Sequence, residues 1–151
     1  MNYLFPVYER TGVRIEPGQW VRVFVAAYGG VWHHGIVRRV FWMGSGFAVE
    51  VIHNQKADGV IVSDWYDFAG GGVVHLHKAP SSPWHAIEIV SRAEAQIGKP
   101  YHVFAQNCEH LASFAFVGEA KSETVTNWGV LVAASVALVG LIAWANGPGS
   151  A

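Results

Sequence analysis

Apolar side chains recur with a period of two along the first half of the chain and with a helical period after it. Residues 20–26 (WVRVFVA) alternate like a half-buried strand, opened by the turn signal Glu16-Pro17-Gly18. Tyr28-Gly29-Gly30 turns the chain into residues 31–37. Residues 40–42 continue that strand or begin another, and Gly44-Ser45-Gly46 turns again. Residues 47–53 (FAVEVIH) form the clearest strand, with a loop over 54–59. Residues 60–62 and 73–77 read as short strands flanking a helical turn at 64–68 and the Gly70-Gly71-Gly72 hinge.

The period then changes. Ser82 can cap a helix with Pro83 at its first position, and Trp84, Ile87, Val90, Ala93 and Ile97 follow at helical spacing until Gly98 and Pro100 stop it. Asn107 is a good N-cap for a second helix from Cys108 to about Val117, closed by Gly118. About five strands followed by two helices, with no internal repeat, predict an α+β fold with an antiparallel sheet packed against helices.

The last segment has neither period. Residues 128–145 (WGVLVAASVALVGLIAWA) carry no charge. As a helix they would reach roughly 27 Å, near the roughly 30 Å hydrocarbon core of a bilayer. Trp128 and Trp144 sit where interfacial aromatics belong. The alternative is a buried C-terminal helix, but a wholly apolar circumference is hard to cover in so small a domain. The expected organisation is therefore a catalytic domain over 1–125 and a linker with a single-pass C-terminal transmembrane helix over 126–151. Lys121 is the basic residue nearest the anchor and favours a cytoplasmic domain. The first residues do not resemble a secretory signal, since Glu9 and Arg10 follow a very short apolar stretch.

Charge narrows the function. Ten basic and eleven acidic residues are spread thinly and form no basic run, which argues against a nucleic-acid partner. A single cysteine rules out an internal disulfide framework, and that thiol stands among eight histidines. A cysteine nucleophile needs a depressed pKa, a base within hydrogen-bond reach and a group to orient the base. If Asn107 caps the helix, Cys108 falls in its first turn. There, free backbone N–H groups favour a thiolate and can hold an oxyanion. The alternative is an inert buried thiol. His33 and His34 are neighbours on a strand and point to opposite faces, so only one of them can meet Cys108. His53 ends the next strand and can lie beside His33 if the two strands pair.

These residues resemble a known family. Trp32-His33-His34-Gly35-Ile36-Val37 is similar to the His-x-Gly-Ile/Val strand of the lecithin:retinol acyltransferase family. Val51-Ile52-His53 resembles its second-histidine strand, and Asn107-Cys108-Glu109-His110 its Asn-Cys-Glu-His-Phe signature. The resemblance runs from about Pro17 to Val125. It implies a permuted papain-like fold and an acyltransferase or phospholipase that takes an acyl chain from a phospholipid onto cysteine as a thioester. The chain then passes to an amine, an alcohol or water. It further implies Cys108 as nucleophile, His33 as base and His53 as the residue orienting it. Asn107, Glu109, His110 and Tyr101 would support or line the site. No cofactor is implied; the partners are a phospholipid membrane and the acyl acceptor. Leu111 replaces the usual Phe, and His34 stands where an aromatic is common, so acceptor preference is open.

Three rivals accompany this reading. His75-x-His77, or His33, His53, Cys108 and His110 together, could ligate a metal, although surface strand histidines are the preferred reading of the first pair. A papain-like amidase or peptidase would use the same Cys and His, but a lipid substrate explains an anchor and a peptide does not. A non-enzymatic membrane-bound interaction module would have little reason to keep the whole Cys-His-His set. The aromatic turn Trp65-Tyr66 could dock lipid or close the core, with the core preferred.

Overall fold

A computed structural model describes residues 6–26, 30–100 and 108–118. Five strands form one antiparallel sheet: β1 (Trp20–Val25), β2 (Val31–Trp42), β3 (Phe47–Gln55), β4 (Gly59–Asp64) and β5 (Val74–Lys78), in the order β4-β3-β2-β1-β5. Helix α1 (Trp65–Ala69) follows β4, α2 (Pro83–Glu94) follows β5, and α3 (Cys108–Val117) comes last. The α+β class and the antiparallel sheet agree with the sequence pattern. The two segments expected at 31–37 and 40–42 are one long strand, with a register shift between Val37 and Arg39.

The sheet is covered on both faces, and each face has its own core. Trp20, Ile36, Ile52 and Val60 pack with Ile89 and Ala93 of α2 and Leu111, Ala112, Ala115 and Phe116 of α3. On the opposite face Val21, Val23, Val37, Val49 and Val51 pack with Phe68 of α1 and with Tyr8 and Ile15 from the N-terminal segment. That face gives a use to the aromatic turn. Trp65 packs against this core, with its ring centroid 5.8 Å from that of Tyr8, while Tyr66 is 84% exposed. The preferred core role thus holds for Trp65 alone.

Local signals explain where the helices sit. Ser82 accepts from the His85 amide at 3.1 Å with Pro83 behind it, as its sequence predicts. The helix ends at Glu94, however, before the expected Ile97. There the chain leaves helical geometry to bond β4, Gly98 N–H donating to Val60 O and Val60 N–H to Lys99 O, both at 2.9 Å. Gly59 makes this possible, since at φ +74° a Cβ would lie 2.2 Å from the Lys99 oxygen. Helix α3 closes where predicted, with Gly118 in the left-handed region donating to Phe114 O at 2.8 Å. The expected membrane span over 128–145 lies outside the described residues, as do Asn107 and Tyr101. Among the described residues, no helix is long and apolar enough to cross a membrane.

Candidate active site

Strand register brings the two expected histidines together. Gly35 pairs with His53 across β2 and β3, so His33, two residues before Gly35, projects from the same face as His53. Their rings meet: His33 Nε2 and His53 Nδ1 are 2.8 Å apart. The chain continues to a residue the sequence did not reveal, with His53 Nε2 standing 2.8 Å from the Ser63 hydroxyl of β4. Ser63 pairs with Val51 rather than with His53, so the contact is diagonal and has no linear spacing to betray it.

The third wall is aromatic. Phe68 lies with its ring centroid 5.3 Å from both imidazoles. It is delivered by α1, whose N-terminus is capped by Asp64 accepting from the Tyr66 and Asp67 amides at 2.8 and 2.9 Å. Gly35 leaves room for it. A Cβ there would come within 2.6 Å of Val51 Cγ1 and 2.9 Å of Phe68 Cε2. The glycine two residues after His33 is therefore a packing requirement of the site.

Cys108 reaches the same strand from α3. Val31 to His34 pair with β1, whereas pairing with β3 begins only at Gly35. Along that stretch Cys108 Sγ lies 3.8 Å from the Trp32 carbonyl, one residue from His33. Among the described residues no hydrogen bond joins the sulfur to the His33 ring, whose Nδ1 makes none at all. The helix carrying Cys108 is held at its far end by α2: Arg92 Nε donates to Ala115 O at 2.7 Å and His85 Nε2 to Phe116 O at 2.9 Å.

His34 faces the other way, as expected. It is buried at 6% exposure, accepts the Trp20 indole N–H on Nδ1 at 2.9 Å and packs against His77. A neutral His34 with Nδ1 so occupied carries its proton on Nε2. Glu109, buried at 9% exposure, acts on this side, its charge favouring protonated His34. His110 is half-buried in the first turn of α3. His75 and His77 share one face, but their rings pack on Trp32 and Trp20. Among the described residues no group of three or more His, Cys, Asp or Glu is placed to hold a metal. A groove of about 280 Å³ between α2 and the side chains of Pro17 and Arg38 contains neither the thiol nor the paired histidines.

Electrostatics corrects one expectation. Burial lowers His33 to about 4 and His53 to about 3, the latter also through the His33 charge. Burial pushes the Cys108 thiol up rather than down, although the backbone N–H groups of His34 and Glu109 favour the thiolate. The resting site therefore holds a neutral thiol beside a neutral imidazole pair, not the preformed thiolate expected from the helix terminus.

Comparison with known proteins follows this geometry. The model of the family described as Lecithin retinol acyltransferase matches residues 13–121. A curated relative, Phospholipase A and acyltransferase 3 of Pongo abelii, is 36% identical over 83 residues, covering 52% of this chain and 50% of that protein. The chain thus matches about half the length of that relative.

Proposed function

The chain belongs to the lecithin retinol acyltransferase family, and on that premise we propose that it is a thiol-dependent acyltransferase or phospholipase acting on phospholipid acyl chains. Cys108 is its nucleophile, His33 its base and His53 the residue that orients the base. The observation that carries this reading is the chain His33–His53–Ser63, which among the described residues leaves one imidazole nitrogen open one residue from the carbonyl touched by the thiol.

Two tautomer sets satisfy that chain, and one of them prepares a base. If His33 carries its proton on Nε2 it donates to His53 Nδ1, and His53 Nε2–H in turn donates to Ser63 Oγ. His33 Nδ1 is then a lone pair. As Sγ attacks an ester carbonyl, the thiol proton passes to Nδ1 and His53 steadies the imidazolium that forms. Backbone N–H groups in the first turn of α3 can hold the oxyanion. The C–O bond breaks, the leaving lysophospholipid oxygen takes the proton back from His33, and a thioester remains on Cys108. Water, an alcohol or an amine then attacks that thioester, giving its proton to His33, which returns it to the departing sulfur. Starting from a neutral thiol, the mechanism needs the base at the moment of attack, so loss of His33 is as serious as loss of Cys108.

The direct test is intact-mass measurement after incubation with mixed phospholipid vesicles. An added acyl mass on the native chain, absent from Cys108→Ser, is expected. A serine variant with more than about a tenth of native turnover would sink the nucleophile assignment. We place the enzyme at a membrane through residues 128–145, with the catalytic domain on the cytoplasmic side.

A further inference from the structure

Between residues 17 and 49 the chain has three arginines and no carboxylate. Arg38 and Arg39 are tied to Glu50, and Arg38 also to Glu94. Arg22 is not tied to any carboxylate among the described residues. Its guanidinium carbon stands 4.3 Å from the centre of the Trp32 ring, and its buried Nε has no hydrogen-bond partner among the described residues. A guanidinium presents five N–H donors in a planar fork suited to carboxylate or phosphate, so a half-buried one with no carboxylate beside it and an unsatisfied Nε is suited to receive an anion.

Its position says which anion. Arg22 pairs with His34 on one side and His75 on the other, so it shares their sheet face. The ring it covers belongs to Trp32, whose own carbonyl is 3.8 Å from Cys108 Sγ. Beside it, on the same sheet face, lie aromatic side chains the fold does not cover: Phe24 is 50% exposed and Trp32 37%. The Phe24 and Trp32 rings stack edge to face at 5.4 Å. In a glycerophospholipid only glycerol carbons and ester oxygens separate an acyl carbonyl from the phosphodiester anion. A cation bordered by an exposed aromatic edge, stacked on the residue whose carbonyl touches the thiol that would take the acyl group, matches that molecule in charge and in polarity. Aromatic side chains also settle at the interface of a bilayer.

We propose that Arg22 binds the phosphodiester of the phospholipid substrate at the bilayer surface, with Phe24 and Trp32 seated at the edge of the hydrocarbon. The kinetic consequence rests on the reading of Cys108 given above, whereas the binding consequence does not. Both are therefore measured.

Binding is measured on the full chain carrying Cys108→Ser, which cannot turn over. The probes are dihexanoylphosphatidylcholine, the matching dihexanoylglycerol without phosphate, and inorganic phosphate. Native Arg22 should favour the phospholipid over the diacylglycerol. Arg22→Gln should remove roughly tenfold or more of that preference, and Arg22→Lys, which keeps the charge but not the fork, should restore part of it. In the chain with Cys108 intact, Arg22→Gln should lower the ratio of kcat/KM on phosphatidylcholine to that on the diacylglycerol by a similar factor. Equal binding of the two lipids by native Arg22, or an unchanged preference in Arg22→Gln, overturns the proposal. So does inorganic phosphate displacing the phospholipid at its own dissociation constant, which would make the site one for free phosphate. A chain that discriminates in binding but never reacts with either lipid supports the phosphate site and refutes the nucleophile.

Discussion

His33 and His34 are adjacent in sequence and opposite in consequence. His33→Ala removes the proposed base and should reduce turnover to the level of Cys108→Ser. The pleat keeps His34 off that face, so His34→Ala should spare the chemistry. It should still cost stability, because it strands the Trp20 indole N–H in the core, about 1–3 kcal/mol for an unsatisfied buried donor. Rates and melts on the two variants separate these effects, and a worse rate in His34→Ala would put the register off by one. Ser63 bears on the pH profile. With His33 held near 4 by burial, the base stays unprotonated well below 6.5, so the acid limb of kcat/KM should lie below pH 6.5. Ser63→Ala removes the acceptor that holds His53 Nε2–H, and kcat should fall about tenfold, with recovery in Ser63→Thr. A profile with an acid limb at 6.5 in the native chain would contradict the buried pair. The same lowered values act on stability. Between about 6.5 and 4 the unfolded chain binds protons that folded His33, His34 and His53 refuse, so stability rises with pH in that window and is lost as pH falls through it.

At the scale of elements, the position of the thiol depends on a helix held by another helix. Arg92 of α2 donates to the carbonyl of Ala115, and its Nη2 reaches Phe116 O at 3.4 Å, beside His85. These acceptors belong to the last turn of α3, where helix carbonyls lack intrahelical donors and a cation is favoured by the dipole. Arg92→Met keeps the packing stem and deletes the donors, so it should cost about 1–2 kcal/mol in a denaturant melt. Because the same contacts fix α3 along its axis, kcat should fall as well, and Arg92→Lys should recover stability better than Arg92→Met. An unchanged melt would mean that α3 is held by its apolar face alone. The elements themselves were largely legible, since the period-two runs, the Ser82-Pro83 start and the Gly118 stop each carry a local cause. The end of α2 was not. It is set by backbone bonds to Val60, nearly forty positions away, and a helical apolar spacing continues past it. For the site, the motifs pointed to Cys108, His33 and His53, but not to Ser63 or to the proposed phosphate contact at Arg22, because diagonal and cross-strand neighbours leave no periodic trace. The direction of the thiol shift was missed because a helix terminus is visible in sequence and burial is not.

At the scale of the whole molecule, the remaining question is what the uncharged run over 128–145 contributes. Among the described residues both hydrophobic cores are built from residues no later than Phe116, and the candidate site draws on none beyond the first turn of α3. A chain ending at Asn127 thus keeps both cores and every proposed catalytic group, and it should fold with a cooperative melt. It should also keep its rate on a dispersed short-chain lipid. On vesicles the rate should fall much further, because an anchor turns the meeting of enzyme and lipid into a local event at high effective concentration. A C-terminal helix belonging to the domain core predicts the opposite: its removal would expose the apolar surface it covered, and the remainder should aggregate or melt early. The deciding comparison is the thermal melt of the shortened chain set beside its rates on dispersed and vesicular substrate. Equal losses on the two substrates in a folded protein would remove the tether from the account, and an unfolded protein would make the run part of the domain.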